Sequence, residues 1–423
     1  MTSPHTTSPL HLTPEQLQDP VAAYGELRTR PELPSVVLPG MRIPTLLVTR
    51  YAEVKAALTE PRLVRDPTTV PGLAEEVAAQ GGDVQGELMD SGSAGLPPEY
   101  ATYLSGHLGL FDGEDHARRR APLTRAFTAR RITALRPFVE RHCARLLDDL
   151  AARRGSGADV DLLHDLAYPL ATSVICELVG VDEEDRPRVR EWIRDFAYGD
   201  GTRAVEGLTG IVEYVRALIG RRRAEPTGDL ISALVADGGT LTEDEAISVV
   251  FLLIDTGITP PALFLAHAAL ALFDHPDQLA RLRAEPELLA TAVPELLRWV
   301  SLVRVGMSFY AREDFTFAGT ALRRGASVTV GLLAANHDPR EYGEGPERLD
   351  LARAFGRGDG HMAFGHGPHY CLGAALGRLV TGVFLDQVFV RRPATALAVD
   401  REALEFGHWP ADGFHLLALP VVL

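Results

Sequence analysis

Phe364-Gly365-His366-Gly367-Pro368-His369-Tyr370-Cys371-Leu372-Gly373 is the stretch whose reading decides the fold. It places Cys371 in a glycine-flanked turn just ahead of a helix-forming run, Leu372, Ala374, Ala375 and Leu376. A thiolate at that point sits at a helix N-terminus, where unpaired backbone N–H groups and the macrodipole stabilise negative charge. Gly365, Gly367 and Gly373 let the backbone approach a flat, bulky group closely. The bland alternative is a free cysteine buried in a glycine-rich turn, the usual fate of an isolated Cys.

The rest of the chain narrows the choice. Its 423 residues exceed a typical single domain, and 46% apolar content suits a globular protein with a substantial core. No stretch approaches the roughly 20 apolar residues that span a bilayer, so no membrane is expected. Residues 1–20 are polar, with Pro, Thr and Ser and without a signal-peptide pattern. They are expected to form a flexible N-terminal segment ahead of one domain over 21–423. Cys143, Cys176 and Cys371 are too widely spaced for a disulfide framework or zinc knuckle. A cytoplasmic enzyme fits these features. The formal net charge of −15 argues against a nucleic-acid partner, which needs a basic face. One segment departs from that balance: Arg118, Arg119, Arg120, Arg125, Arg130, Arg131, Arg136, Arg141 and Arg145 crowd 116–145. It reads either as a solvated helix face or as a patch that steers a small acidic partner.

Residues 41–64 read as short strands and a helix over Ala52–Leu58. The Gly-, Pro- and Ser-rich stretch 65–110 reads as a long irregular segment, the kind that is often functional. From 116 to 300 apolar residues recur at helical spacing, as in Leu146, Leu147 and Leu150 or Ile175, Leu178 and Val179. Thr242-Glu243-Asp244-Glu245 has the form of a capping box, and the helix it starts is apolar on several faces, hence central and buried. Strand pieces return at Ser327–Leu332, a Pro- and Gly-rich meander follows over 336–369, and a last helix follows Cys371. The fold class is mainly α with small β-sheets.

Phe364, Gly367, His369, Cys371 and Gly373 are spaced as in the haem-binding signature of the cytochrome P450 family, which this string closely resembles. The continuation through Arg378 follows its soluble bacterial members. The resemblance implies a single large α-rich domain with a long central helix and haem b (iron protoporphyrin IX) held between two helices. Cys371 would be the proximal iron ligand and metal-binding residue, a ligation suited to O–O bond cleavage. Phe364, Gly365 and Gly373 would shape the cofactor loop, and His369 would bond a haem propionate. His116 and Arg120, four apart on one helical face, would meet a propionate as charge-assisted donors; alternatively they are an exposed pair in an Arg-rich helix. A third propionate contact expected from an arginine falls on Phe309, beside Ser308, and Arg304 is no evident replacement. Glu295 and Arg298 lie three apart and read alone as a surface ion pair. The resemblance makes them a core lock completed by Arg348 of Pro346-Glu347-Arg348. Pro294 is tolerable only within about one turn of that helix's start.

The central helix departs from the family pattern. Its members read Ala-Gly-x-Asp/Glu-Thr there, and the acid and alcohol relay protons during oxygen activation. With the register anchored by His275-Pro276 and Glu295, the segment here is Thr256-Gly257-Ile258-Thr259-Pro260, with Asp255 one position earlier. Asp255, Thr256, Gly257 and Thr259 are the candidate distal catalytic residues. Pro260 and Pro261 donate no backbone hydrogen bond, so the Thr256 and Gly257 carbonyls lose their helical partners and can hold water; the same prolines can also simply kink the helix.

Together these features imply a haem-thiolate oxidoreductase that activates O2 with external electrons. No Gly-x-Gly-x-x-Gly fingerprint follows a strand, and 423 residues leave no room for a reductase domain. The resemblance implies ferredoxin and ferredoxin reductase as partners, docking on the cysteine side near Arg118–Arg131. Oxygen insertion into a C–H bond and oxidative coupling or ring closure both remain open. A peroxide-driven enzyme and a non-catalytic haem sensor are the alternatives, the former weakened because Thr259 rather than arginine precedes Pro260. Residues 65–110, Ser301–Phe309 and His408–Phe414 would line a pocket for a medium-sized, partly polar natural-product intermediate.

Overall fold

Among the described residues strands run to four residues at most, while helices reach 32, so packing is set by helix faces. The computed structural model describes residues 8–41, 43–79, 98–154, 160–236, 240–356, 360–409 and 413–423. These residues gather into two compact units. The first takes the described residues up to Ala79, with Ala290–Cys371 and Phe406–His415. The second takes the described residues from Pro98 to Leu289, with Leu372–Glu405 and Leu416–Leu423.

A six-stranded sheet organises the first unit. In chain order its strands are β1 (Leu10–His11), β2 (Ser35–Val37), β3 (Thr45–Val48), β4 (Leu63–Val64), β6 (Phe309–Ala311) and β7 (Ser327–Val330), and the spatial order is β1-β2-β3-β7-β6-β4. β3 and β7 pair in parallel, Leu46 opposite Val328 and Val48 opposite Val330. All four β3 residues are buried, as expected of a central strand covered on both faces. The expected flexible segment is corrected from residue 10 onward. β1 pairs with β2, Thr13 and Gln16 form a capping box on the helix Pro14–Leu17, and Leu17 is fully buried beside Tyr24 and Leu47. Burial of these apolar side chains is what holds the segment down.

Deeper in this unit lies a buried ionic lock. Glu295 and Arg298, on the helix Leu289–Val300, are both 0% exposed and meet in a two-pronged pair at 2.7 and 2.8 Å. Arg298 also donates to the carbonyls of Asn336 at 2.7 Å and Pro346 at 2.8 Å. The third partner is Arg353, whose Nε reaches Glu295 at 3.2 Å, and not Arg348. Arg348 is exposed; it contributes its carbonyl, which accepts from Arg298 at 3.3 Å and Arg353 at 3.2 Å. Pro294 stands sixth in its helix, further in than expected, where it removes the N–H that would bond the Ala290 carbonyl.

The second unit is helical, its main helices being Gly113–Ala126, Ala129–Arg154, Tyr168–Val179, Arg186–Tyr198, Gly201–Ala224, Glu243–Asp274 and Ala374–Leu385. A three-stranded sheet of β5 (Val160–Asp161), β8 (Ala396–Leu397) and β9 (Pro420–Val422) accompanies them. The expected capping box starts the central helix: Thr242 Oγ1 accepts from Glu245 N at 3.2 Å, and Glu245 Oε2 accepts from Thr242 N at 2.9 Å. That helix continues through Pro260 and Pro261 to Asp274. Contrary to the sequence expectation, Leu162–Val179 and Glu243–Asp274 are long and apolar enough to cross a bilayer by length and composition. Both are mostly buried within the protein, which accounts for their composition.

Replacing Arg298 by methionine strands the Glu295 carboxylate in the core. The denaturation midpoint should fall by the equivalent of about 3–5 kcal/mol. A urea titration against the parent protein measures it, and an unchanged midpoint would show that the lock does not stabilise the fold.

Candidate functional site

The cysteine loop belongs to the first unit. Among the described residues Cys371 has an exposed thiol, whereas Cys143 and Cys176 are buried and burial pushes both their thiols up to about 12. The loop closes on itself: Gly365 N–H donates to Met362 O at 2.9 Å, Tyr370 N–H to Gly367 O at 3.1 Å, and Cys371 N–H to Phe364 O at 3.0 Å. Gly365 and Gly367 adopt φ of 70° and 72°, a left-handed conformation that favours glycine. A Cβ on Gly367 would meet the Leu58 carbonyl at 2.8 Å, whereas one on Gly365 would enter open space. Gly373 is different. Its φ of −77° is ordinary, and its carbonyl caps the helix Ala374–Leu385 by accepting from Gly377 N–H at 2.8 Å. Phe364 packs edge-on against Tyr370, and half-buried His369 ends the single turn Gly367–His369.

Asn336 ties this loop to the ionic lock. Its carbonyl accepts from Arg298, its Nδ2 donates to Ser301 Oγ at 2.6 Å, and its Oδ1 accepts from Met362 N–H at 2.6 Å. Met362 is the residue on which the Gly365 turn closes. The position of the sulfur thus follows from buried hydrogen bonds rather than from loop sequence alone.

An iron porphyrin fits this donor set. One exposed cysteine cannot chelate a bare ion, and the described residues hold no group of three His, Cys, Asp or Glu that could. A ring that brings its own four nitrogens needs one thiolate and an uncluttered loop, and Gly365 leaves that space open. His116 and Arg120 belong to the second unit, on one face of Gly113–Ala126. His116 is 3% exposed and Arg120 half-buried, which corrects the alternative of an exposed pair.

The neighbouring arginines are engaged within the chain. Arg118 bonds Glu245 at 2.6 Å and Asp115 at 2.7 Å. Arg119 reaches Glu245 at 2.9 Å and lies 3.9 Å over the Phe111 ring. Arg118 above all, against the cost of burial, holds the Glu245 carboxyl down to about 2. Arg131 donates to the Ala126 and Gly228 carbonyls. The charges of Arg118 and Arg119 are thus answered by Asp115 and Glu245 within the chain. In the first unit Phe309, where the resemblance expects an arginine, is buried with the Arg65 guanidinium 4.3 Å over its ring. Arg304 is buried and donates to the Leu302 carbonyl at 3.1 Å.

The four distal candidates separate by role. Thr256 donates its hydroxyl to Leu252 O at 2.6 Å, within its own helix. Gly257 is a packing glycine: a Cβ there would lie 2.5 Å from Ile175 Cγ1 on Tyr168–Val179. Asp255 and Thr259 are four apart and share a helix face. Thr259 adjoins Tyr168 and Tyr198, whose hydroxyls lie 3.1 Å apart, yet its own buried Oγ1 makes no hydrogen bond of regular geometry. Asp255 keeps some solvent contact but is densely surrounded by protein, and this burial pushes its carboxyl up to about 6. Burial raises the Tyr198 phenol, with smaller contributions from Tyr168 and the Asp255 charge. Neither tyrosine carries a sequence signal, since one opens a helix and the other closes one. Residues 80–97 of the expected pocket segment 65–110, and 410–412 of the C-terminal turn, lie outside the described residues.

Two measurements check these roles. Gly257→Val should lower stability by about 1–3 kcal/mol through overpacking, and Ile175→Ala in the same chain should recover part of it. Asp255 binds its proton more tightly folded than unfolded, so folding stability from this group declines as pH rises from about 4 to about 6. Asp255→Asn should therefore match the parent below pH 4 and exceed it by about 1–3 kcal/mol at pH 8, by thermal melts.

Comparison with known proteins agrees with this geometry. A family model described as Cytochrome P450 matches residues 220–391. The 6-deoxyerythronolide B hydroxylase of Saccharopolyspora erythraea is 34% identical over 387 residues, covering 90% of each chain. Vitamin D(3) 25-hydroxylase of Pseudonocardia autotrophica is 34% identical over 397 residues, 92% of this chain and 90% of that one. Among solved structures, mycinamicin VIII C21 methyl hydroxylase of Micromonospora griseorubida superposes with a TM-score of 0.79 at 32% identity, covering 95% of this chain and 96% of that one. An exposed cysteine on a left-handed glycine loop, locked from behind by buried Glu295 and Arg298, thus stands in a chain that belongs to the cytochrome P450 family, a haem-thiolate monooxygenase by its relatives.

Proposed function

We propose that the protein carries haem b on the Cys371 thiolate and oxidises a small natural-product intermediate in the cytoplasm, with electrons from ferredoxin and ferredoxin reductase. The observation that carries this reading is the exposed Cys371 thiol on a loop fixed through Met362 and Asn336 to Arg298. Phe364, Gly365 and Gly373 would shape the seat, and His369, His116 and Arg120 would hold the propionates as cationic donors. The bound group would supply O2 activation at its iron; everything else falls to side chains of this chain.

Those side chains hold protons unusually. Pro260 occupies the position of the expected alcohol and Thr259 that of the acid. Asp255, with its carboxyl near 6, holds or releases a proton at Oδ close to neutral pH, and the Thr259 and tyrosine hydroxyls beside it extend the set. The Thr256 and Gly257 carbonyls, without in-helix donors, are acceptors for ordered water. The hydroxylase names of the relatives favour oxygen insertion, while the altered relay favours oxidative coupling.

Reduced, carbon-monoxide-treated protein should show a long-wavelength Soret band that Cys371→Ala abolishes. An unchanged spectrum in the variant would overturn the thiolate assignment. Product mass then separates the reactions: one added oxygen means insertion, and loss of two hydrogens means coupling.

A further inference from the structure

One stretch of the central helix offers acceptors without a matching cation. Within a turn it holds the Asp255 carboxylate, the Thr259 hydroxyl and the Thr256 and Gly257 carbonyls that Pro260 and Pro261 leave without in-helix donors. Among the described residues Asp255 has no ion-pair partner, and the buried Thr259 Oγ1 lies beside the Tyr168 and Tyr198 hydroxyls without a hydrogen bond of regular geometry. The Tyr168 and Tyr198 phenols, 3.1 Å apart at their hydroxyls, complete the patch, and Tyr198 is 37% exposed at its edge.

We propose that Asp255, Thr259, Tyr168 and Tyr198 form a subsite for a cationic amine carried by the substrate; this rests on the reading of the protein as an oxidase of small molecules. A carboxylate desolvated without a counter-charge is unfavourable, and burial is the sole cause acting on the Asp255 carboxyl. Among the described residues no arginine or lysine charge offsets it. A ligand ammonium supplies the missing charge. The freed carbonyls add acceptors, so the patch has donors only in its hydroxyls and is electrostatically matched to a cation. A neutral hydroxyl would satisfy the acceptors without neutralising the carboxylate.

Calorimetry on the haem-loaded protein at pH 7.5 tests this with trimethyl(4-phenylbutyl)ammonium, whose nitrogen has no lone pair for iron, against the neutral tertiary alcohol of the same skeleton. The cation should bind at least about tenfold tighter, a difference of about 1.4 kcal/mol. Asp255→Asn should bring the two affinities within about twofold. Equal affinities in the parent protein would overturn the subsite, and that comparison needs no variant to fold. A preference that persists in Asp255→Asn would overturn the role of the carboxylate. Loss of the long-wavelength carbon-monoxide band in the parent would instead overturn the haem-thiolate reading, so the two failures are distinguishable.

Discussion

A carboxylate and a guanidinium sealed away from water are the constraint on which the first unit rests. Glu295 and Arg298 are fully buried, and neither is tolerable there alone. Their charges are answered by each other, by Arg353 and by a ring of carbonyls from Asn336, Pro346 and Arg348. Such a pair need not add net stability over apolar packing. It imposes a single arrangement on the segments that satisfy it, and one of those segments leads through Asn336 and Met362 to the cysteine loop.

The second unit depends on a different tension. A 32-residue helix carries two adjacent prolines near its middle and does not break. Apolar packing on several faces holds it together, including the approach to Ile175 that only a glycine at 257 permits. The cost is local: two carbonyls that lose their proline-position donors, a threonine hydroxyl without a regular hydrogen bond and a carboxyl forced towards its neutral form. Defects of this kind are costly to keep, and they cluster where a chain does chemistry or binds something.

Much of the architecture was legible because its signals are local. The capping box at Thr242, the helical spacing from 116 to 300 and the cysteine string each depend on residues a few positions apart. Distant partners were harder to read. Arg353 rather than Arg348 completes the lock because a turn at Gly345 to Arg348 directs the Arg348 carbonyl, not its side chain, inward. The basic run at 118–131 reads alone as a solvated face or a docking patch, and nothing local signals that Arg118 bonds Glu245, more than a hundred positions away. The N-terminal segment reads as polar, yet Leu10, Leu12 and Leu17 pack with Tyr24 and Leu47 in a buried cluster.

The amino-acid order by itself determined the helical class, the sulfur at 371 and the absence of an acid–alcohol pair at 259–260, because each is a matter of residue identity or short spacing. Tertiary structure alone decided that Gly257 serves packing, that Gly373 needs no special conformation, and that Tyr168 and Tyr198 stand beside Thr259. Those facts depend on which surfaces burial brings together, and close approach between helices distant in the chain leaves no mark on local sequence.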